Sequence, residues 1–176
     1  VVRLYSPAPY QVFQRSGGVG TIVVAGDVTP AGNYIIEGRW GDDAWSIIDS
    51  GVTRVFSGIV PNQAQGQAAF EVRVQGQATS VKADYVGIGD IFVVAGQSNA
   101  MGYGIYYQIY THPTLKAGLF RNNYTWAELK DPTDINGAGA DTVSVDTLAR
   151  GSIWPLLATY IMDDQGVPVA FVPTAK

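Results

Sequence analysis

Short apolar segments fill the first half of the chain, and their spacing restricts the fold more than any other feature. Between Leu4 and Ile88, segments rich in valine, isoleucine, tyrosine and phenylalanine each end near glycine, proline or asparagine. They recur at roughly the 8–12-residue interval of an antiparallel β-sandwich. The segments are 21–28, 33–40, 45–50, 54–60, 68–76 and 79–88.

One of these segments also shows which of its faces is buried. Phe70, Val72 and Val74 alternate with Glu71 and Arg73. Because successive side chains of a strand point to opposite faces, this alternation predicts one face buried in the core and one face exposed to solvent. We therefore predict an antiparallel β-sandwich of immunoglobulin-like or jelly-roll type over residues 1–88.

The second half follows a different pattern. Residues 91–95 and 167–172 are continuous apolar runs, as expected of strands that are covered on both faces in a parallel sheet. A helix between two such strands makes a right-handed βαβ unit. The pattern predicts the start of a parallel-sheet α/β domain over residues 89–176, so the fold class is α/β plus β.

The connecting helix is predicted over residues 152–166. Ser152 is a suitable N-cap, Pro155 lies in the first turn, and Gly166 lies where the helix should end. An apolar stripe at helical spacing is predicted to face the core. Its members are Ile153, Trp154, Leu157, Tyr160 and Ile161.

Composition narrows the classes of partner. The net charge is −4, and the lysines and arginines are scattered singly, so no basic stripe for nucleic acid is present. The apolar runs are far shorter than the roughly 20 residues of a membrane helix. The chain has no cysteine and one histidine, so we expect no metal site and no cofactor.

Residues 89–102, GDIFVVAGQSNAMG, carry the strongest candidate for chemistry. Ser98 follows an apolar strand by three residues, at a position where a sharp strand-to-helix turn exposes a nucleophilic hydroxyl. The local pattern matches G-x-S-x-G at Gly96 but has Ala100 at the last position. Alternatively, Ser98 or Asn99 is an N-cap of the following helix.

The same stretch resembles the first conserved block of the sialate O-acetylesterase-like carbohydrate esterases, a branch of the SGNH or GDSL-type hydrolases. Segments 10–15, 35–40, 126–132 and 152–172 also resemble parts of that family. The resemblance covers nearly the whole chain, and the glutamine-serine-asparagine block is its most specific motif.

This resemblance implies a function and a set of site residues. Ser98 would be the nucleophile and would contribute its own backbone N–H to the oxyanion hole. Gly96 would permit the tight turn, with Gln97 and Asn99 in support. The implied reaction is the hydrolysis of acetyl esters on sialic acid or other acetylated sugars, without cofactor, in an extracellular or periplasmic location.

The residues that would complete such a site do not match the chain. In the family, the catalytic histidine lies in a D-x-x-H block near the C-terminus, and no such block occurs here. We interpret His112, next to Pro113, as a loop histidine. The candidate acids are interpreted as caps, turn residues or solvated loop charges: Asp90, Asp131, Asp134, Asp141 and Asp146.

Two parallel strands and one helix would leave a hydrophobic sheet edge exposed. We therefore expect residues 89–176 to be incomplete. A C-terminal fragment or a second chain would supply the catalytic histidine and aspartate, and this chain alone would be inactive.

A non-catalytic function is the alternative. The first half could be a carbohydrate-binding or structural module, for example in a surface or virion assembly. Trp40 and Trp45 flank a turn at 41–44, and their exposure together on one flat face would favour glycan binding.

Overall fold

The computed structural model describes residues 1–133 and 150–175. Within these ranges about half of the chain forms strands, and two helices are present. The strands are β1 (Val2–Ser6), β2 (Val12–Gln14), β3 (Val19–Val28), β4 (Tyr34–Trp40), β5 (Ser46–Val52), β6 (Val55–Ala64), β7 (Gly66–Val74), β8 (Val81–Val94), β9 (Gly118–Phe120), β10 (Trp126–Glu128) and β11 (Val169–Pro173). The helices are α1 (Ser98–Met101) and α2 (Trp154–Gln165).

The strands form two sheets that share a core. The smaller sheet is antiparallel, in the order β1-β3-β6, and the larger has eight strands, in the order β10-β9-β11-β8-β7-β4-β5 with β2 paired to β8. Side chains from both sheets form one buried cluster, including Ile22 and Phe56 from the smaller sheet and Phe70 and Val86 from the larger. Phe70 and Val72 are fully buried, as their alternation predicts.

β8 joins the two halves of the chain. Its first part pairs antiparallel with β7, and its last part, from Asp90 to Val94, pairs parallel with Val169–Pro173 of β11. β11 in turn pairs parallel with β9, and β9 pairs antiparallel with β10. The strands of the second half therefore extend the sheet of the first half.

The predicted fold class is therefore wrong. A sandwich followed by a separate parallel-sheet α/β domain does not form; the described residues are mostly β, and their larger sheet is mixed. The predicted boundary lies between Ile88 and Gly89, but both residues lie inside β8. A Cβ atom on Gly89 would lie 1.8 Å from the carbonyl oxygen of Pro168, so this glycine permits close packing within a continuous strand.

The division into domains at 1–88 and 89–176 stays a prediction, with its boundary inside β8. A second cluster of buried residues lies beyond that boundary, where α2 packs on β8, β9 and β11. Among the described residues, no helix combines the length and apolar character needed to cross a membrane.

α2 begins and ends close to the predicted positions but buries only part of the predicted apolar stripe. Gly166 ends it in the left-handed conformation, with φ 65°. The buried residues are Pro155, Ala158 and Met162, whereas Ile153 and Tyr160 are more than 60% exposed. Of the predicted stripe, Trp154 and Ile161 are partly buried and pack against the second core, whereas Ile153, Leu157 and Tyr160 are exposed.

Candidate active site

Ser98 is the first residue of the short helix α1, after β8 ends at Val94. The carbonyl of Gln97 accepts hydrogen bonds from the backbone N–H groups of Ala100 and Met101, at 2.8 and 3.1 Å. The Ser98 residue is exposed. The strand and the turn thus present Ser98 to solvent after the end of the β8 segment that pairs parallel with β11.

The turn before Ser98 requires glycine at position 96. Gly96 has a φ of 150°, and a Cβ atom there would lie 3.0 Å from the Cβ of Ala100. No side chain caps the start of α1. The alternative interpretation of Ser98 or Asn99 as a side-chain N-cap therefore gains no support. The roles assigned to Ser98, Gly96, Gln97 and Asn99 remain predictions.

α1 is anchored to α2 and to the core below it. Met101 is buried, and the indole Nε1 of Trp154 donates a 2.8 Å hydrogen bond to the carbonyl of Ala100. The Trp154 ring also packs against Phe171 of β11, with the ring centroids 5.5 Å apart. The position of Ser98 is therefore tied to the second core.

The chain after α1 is held against the start of α2. Gly104 and Gly151 exchange backbone hydrogen bonds of 2.8 and 3.0 Å, and Arg150 N donates to the carbonyl of Gly102 at 2.7 Å. A Cβ atom on Gly151 would lie 1.7 Å from the carbonyl oxygen of Tyr106. Any larger residue at position 151 would therefore prevent the two segments from approaching each other this closely. Residues 102–108 thereby form a wall that directly follows α1 along the chain.

One carboxylate ties this wall together. Asp131 Oδ2 accepts from the backbone N–H groups of Gln108 and Ser152, at 2.7 and 2.8 Å. Asp131 Oδ1 accepts from the Ser152 hydroxyl at 2.6 Å. Ser152 Oγ also lies 3.3 Å from the N–H of Trp154, one position before the N-cap residue Ile153. The sequence predicted Ser152 as the N-cap of α2, but nothing in it indicated that Asp131 joins Gln108 to Ser152.

A groove of about 690 Å³ lies along this wall and reaches α1 at Asn99. Its remaining lining residues are Tyr103, Gly104, Ile105, Tyr106, Gln108, Tyr110, Gly151, Ser152, Ile153 and Leu156. The Tyr106 side chain is 75% exposed. Apolar and aromatic surface with a few polar groups is typical of small-molecule sites. The tyrosine-rich stretch 103–110 is the sequence signal that could have indicated this groove.

His112 is engaged at both ring nitrogens, away from the groove lining. Its Nδ1 accepts from the backbone N–H groups of Thr114 and Leu115, at 3.2 and 3.0 Å. Its Nε2 lies 3.1 Å from Asp163 of α2. A histidine that activates serine needs one nitrogen free to take the hydroxyl proton. This arrangement agrees with the interpretation of His112 as a structural loop residue.

The described candidate acids also have structural partners. Asp90 receives a bidentate ion pair from Arg15, with Nε at 3.0 Å and Nη2 at 2.8 Å. Asp131 holds the groove wall. Asp134, Asp141 and Asp146 lie outside the described residues. Within the described ranges, no group of three or more histidine, aspartate or glutamate side chains is arranged to hold a metal ion.

The two tryptophans near the 41–44 turn do not present an open flat face. Trp40 packs against the core between the sheets. Over the Trp45 ring lie the guanidinium carbons of Arg39 and Arg73, 4.7 and 4.0 Å from the centroid. These cation–π contacts use the aromatic surface that glycan stacking would need. The alternative of a binding module built on this turn gains no support.

No family model matches the chain, and no curated protein matches it significantly. Among solved structures, the crystal structure of a carbohydrate acetylesterase from Xanthomonas citri is similar, with a TM-score of 0.55 and 17% sequence identity. The match covers 99% of this chain and 40% of that chain. The fold is therefore carbohydrate-esterase-like, and the chain spans 40% of the length of that esterase.

Proposed function

We propose that this chain is the nucleophile-bearing portion of a carbohydrate O-acetylesterase of the sialate O-acetylesterase-like type. The observation that carries the proposal is the exposed Ser98 on a glycine-dependent turn, one residue before Asn99, which lines the tyrosine-rich groove. The fold similarity to a carbohydrate acetylesterase supports the same assignment. The partner is an acetylated saccharide, bound in the groove with its acetyl group toward Ser98.

In the proposed reaction, Ser98 Oγ attacks the acetyl carbonyl carbon and forms an acetyl-enzyme. The bond between that carbon and the sugar oxygen breaks, and the serine proton passes through a base to the departing sugar oxygen. Water then hydrolyses the acetyl-enzyme and releases acetate. The N–H of Ser98 stabilises the oxyanion, Gly96 fixes the turn, and Gln97 and Asn99 support it.

The proposed reaction needs a base for the Ser98 hydroxyl proton, and His112 is engaged elsewhere. His112 is the only histidine of the chain, and both of its ring nitrogens have partners. We therefore propose that a histidine and an aspartate from a C-terminal portion, or from a second chain, complete the site. The chain alone is then expected to be inactive, and the assembled enzyme to act outside the cell or in the periplasm.

Hydrolysis of an aryl acetate tests the role of Ser98. The assembly that includes the completing portion should lose activity at least a thousandfold on Ser98→Ala, since removal of a nucleophile leaves only binding and oxyanion stabilisation. Ser50→Ala changes an exposed serine on β5 and is the matched control. Equal rates for the Ser98→Ala and Ser50→Ala assemblies would exclude Ser98 as the nucleophile.

A second measurement tests the missing base. Mixing the 176-residue chain with the candidate completing portion should restore hydrolysis that neither component shows alone. Full activity of the 176-residue chain by itself would refute the proposal that its base comes from elsewhere.

A further inference from the structure

Arg121 lies at the same sheet edge as Ser98. β8, β11 and β9 are parallel neighbours, with Val94 opposite Pro173 and Phe171 opposite Leu119. The residues that follow β8 and β9 therefore emerge at one edge, separated by two strand spacings, or about 10 Å. Thr174, which follows β11, lies between them and donates from its hydroxyl to the carbonyl of Val94 at 3.0 Å.

The Arg121 guanidinium is left without a carboxylate partner among the described residues. Its Nε is buried and has no hydrogen-bond partner. Arg15, Arg39 and Arg73, by contrast, each bind a carboxylate at 2.8–3.0 Å. Burial alone lowers the pKa of Arg121. A desolvated cation without a counter-charge costs free energy that a bound anion would offset.

A cleft of about 210 Å³ surrounds this side chain. Its described lining residues are Phe120, Arg121, Asn122, Tyr124, Val172, Pro173 and Thr174, and none of these carries a carboxylate that would repel an anion. A tight turn fixes the arginine backbone, because Arg121 N donates to the Thr125 carbonyl at 2.8 Å and Tyr124 N donates back to Arg121 at 2.9 Å. The volume is below the roughly 300–1,000 Å³ of sites for drug-sized ligands, so it suits one small group.

We propose that this cleft is a carboxylate-binding subsite, in which Arg121 binds the acid group of a saccharide whose acetylated hydroxyl lies at Ser98. This inference rests on the proposed function for the position of the acetyl group, but the subsite itself does not. A guanidinium matches a carboxylate in planar, bidentate geometry. The two strand ends are about 10 Å apart, so the proposal requires a saccharide long enough to extend from the cleft to the turn that carries Ser98.

Direct binding tests the subsite without any turnover. Glucuronate, glucose and inorganic phosphate are titrated into the wild-type chain and followed by NMR chemical-shift changes. Glucuronate should bind at least tenfold more tightly than glucose, since one charge-assisted contact has about that effect. Arg121→Gln should remove this preference, whereas Arg54→Gln, which changes an exposed arginine between β5 and β6, should keep it.

A second variant covers the possibility that Arg121→Gln does not fold. Arg121→Lys keeps the charge but loses the bidentate geometry, so it should retain part of the preference. Equal binding of glucuronate and glucose by the wild-type chain would overturn the subsite, as would an unchanged preference in Arg121→Gln. Phosphate bound as tightly as glucuronate would overturn the assignment to an acidic sugar.

The two proposals fail separately. Ser98→Ala should bind glucuronate as the wild-type chain does, because Ser98 is not part of the cleft. If Ser98 proves not to be the nucleophile, the carboxylate-binding subsite is unaffected. If Arg121 proves not to bind a carboxylate, Ser98 remains a candidate nucleophile for neutral sugars.

Discussion

Asp131 offers a quantitative test of how the groove wall is held. Its carboxylate accepts three hydrogen bonds, two from backbone N–H groups of Gln108 and Ser152 and one from the Ser152 hydroxyl. Asp131→Ala removes every acceptor at once. Each lost bond to a partly buried donor costs about 1 kcal/mol where water can partly replace it, so the variant should lose about 3 kcal/mol of unfolding free energy.

Asp131→Asn separates acceptor geometry from charge. The amide oxygen can still accept the two backbone N–H groups, and its NH₂ can donate to the Ser152 hydroxyl. This variant should therefore lose only about 1 kcal/mol. Asp164→Ala is the matched control, because Asp164 is an exposed carboxylate near the end of α2 that contacts Gln165 in the next position.

Urea unfolding gives the free energies, and amide hydrogen exchange locates the effect. In Asp131→Ala, exchange should accelerate at the N–H groups of Gln108 and Ser152 more than in the core of the two sheets. Unfolding free energies for Asp131→Ala, Asp131→Asn and Asp164→Ala that agree within about 0.5 kcal/mol would refute the role of Asp131 as the connection between these segments.

Two further predictions concern the sheets. Gly89→Ala should destabilise the chain by about 2–3 kcal/mol in thermal or urea unfolding, because the new Cβ would lie 1.8 Å from the Pro168 carbonyl oxygen. An unchanged free energy of unfolding would contradict a continuous β8 at this position. Glu37→Gln tests a pH dependence. A hydrogen bond from Gln75, followed by the hydrogen bond and charge of Arg73, lowers the pKa of the Glu37 carboxyl from its ordinary 4.5. Its stabilising effect is therefore present above pH 4.5 and lost as the pH falls through the lowered folded-state pKa. The urea midpoints of wild type and Glu37→Gln should differ at pH 7 and converge at acidic pH, whereas a constant difference would contradict this ion pair.

Local patterns located most of the strands and the second helix. The six predicted segments of the first half correspond to β3–β8, because alternating side chains and turn residues act within a few neighbouring positions. The same holds for Gly166, which ends α2 in the conformation that glycine adopts most easily. Ser98 was likewise proposed as a candidate from its position after an apolar strand, and its role stays a prediction.

Local sequence patterns could not predict which strands pair with each other in each sheet. In the sequence, Gly87 and Gly89 resemble the glycines that end strands. In the structure they allow the close approach of Pro168, about eighty residues away. The short strands β9 and β10 have three residues each and are stabilised by pairing with β11 and with each other. Pairing of this kind depends on partners distant in sequence, so three-residue windows carry too little signal for it.

The sequence by itself determined the strand segments, the helix before Gly166 and the serine at the end of an apolar run, because each depends on neighbouring residues. The tertiary structure decided that both halves share one mixed sheet, that Asp131 connects the groove wall, and that Arg121 lies at the same edge as Ser98. Each of these facts joins residues far apart in the chain, and only packing and hydrogen bonding in three dimensions determine which distant groups meet.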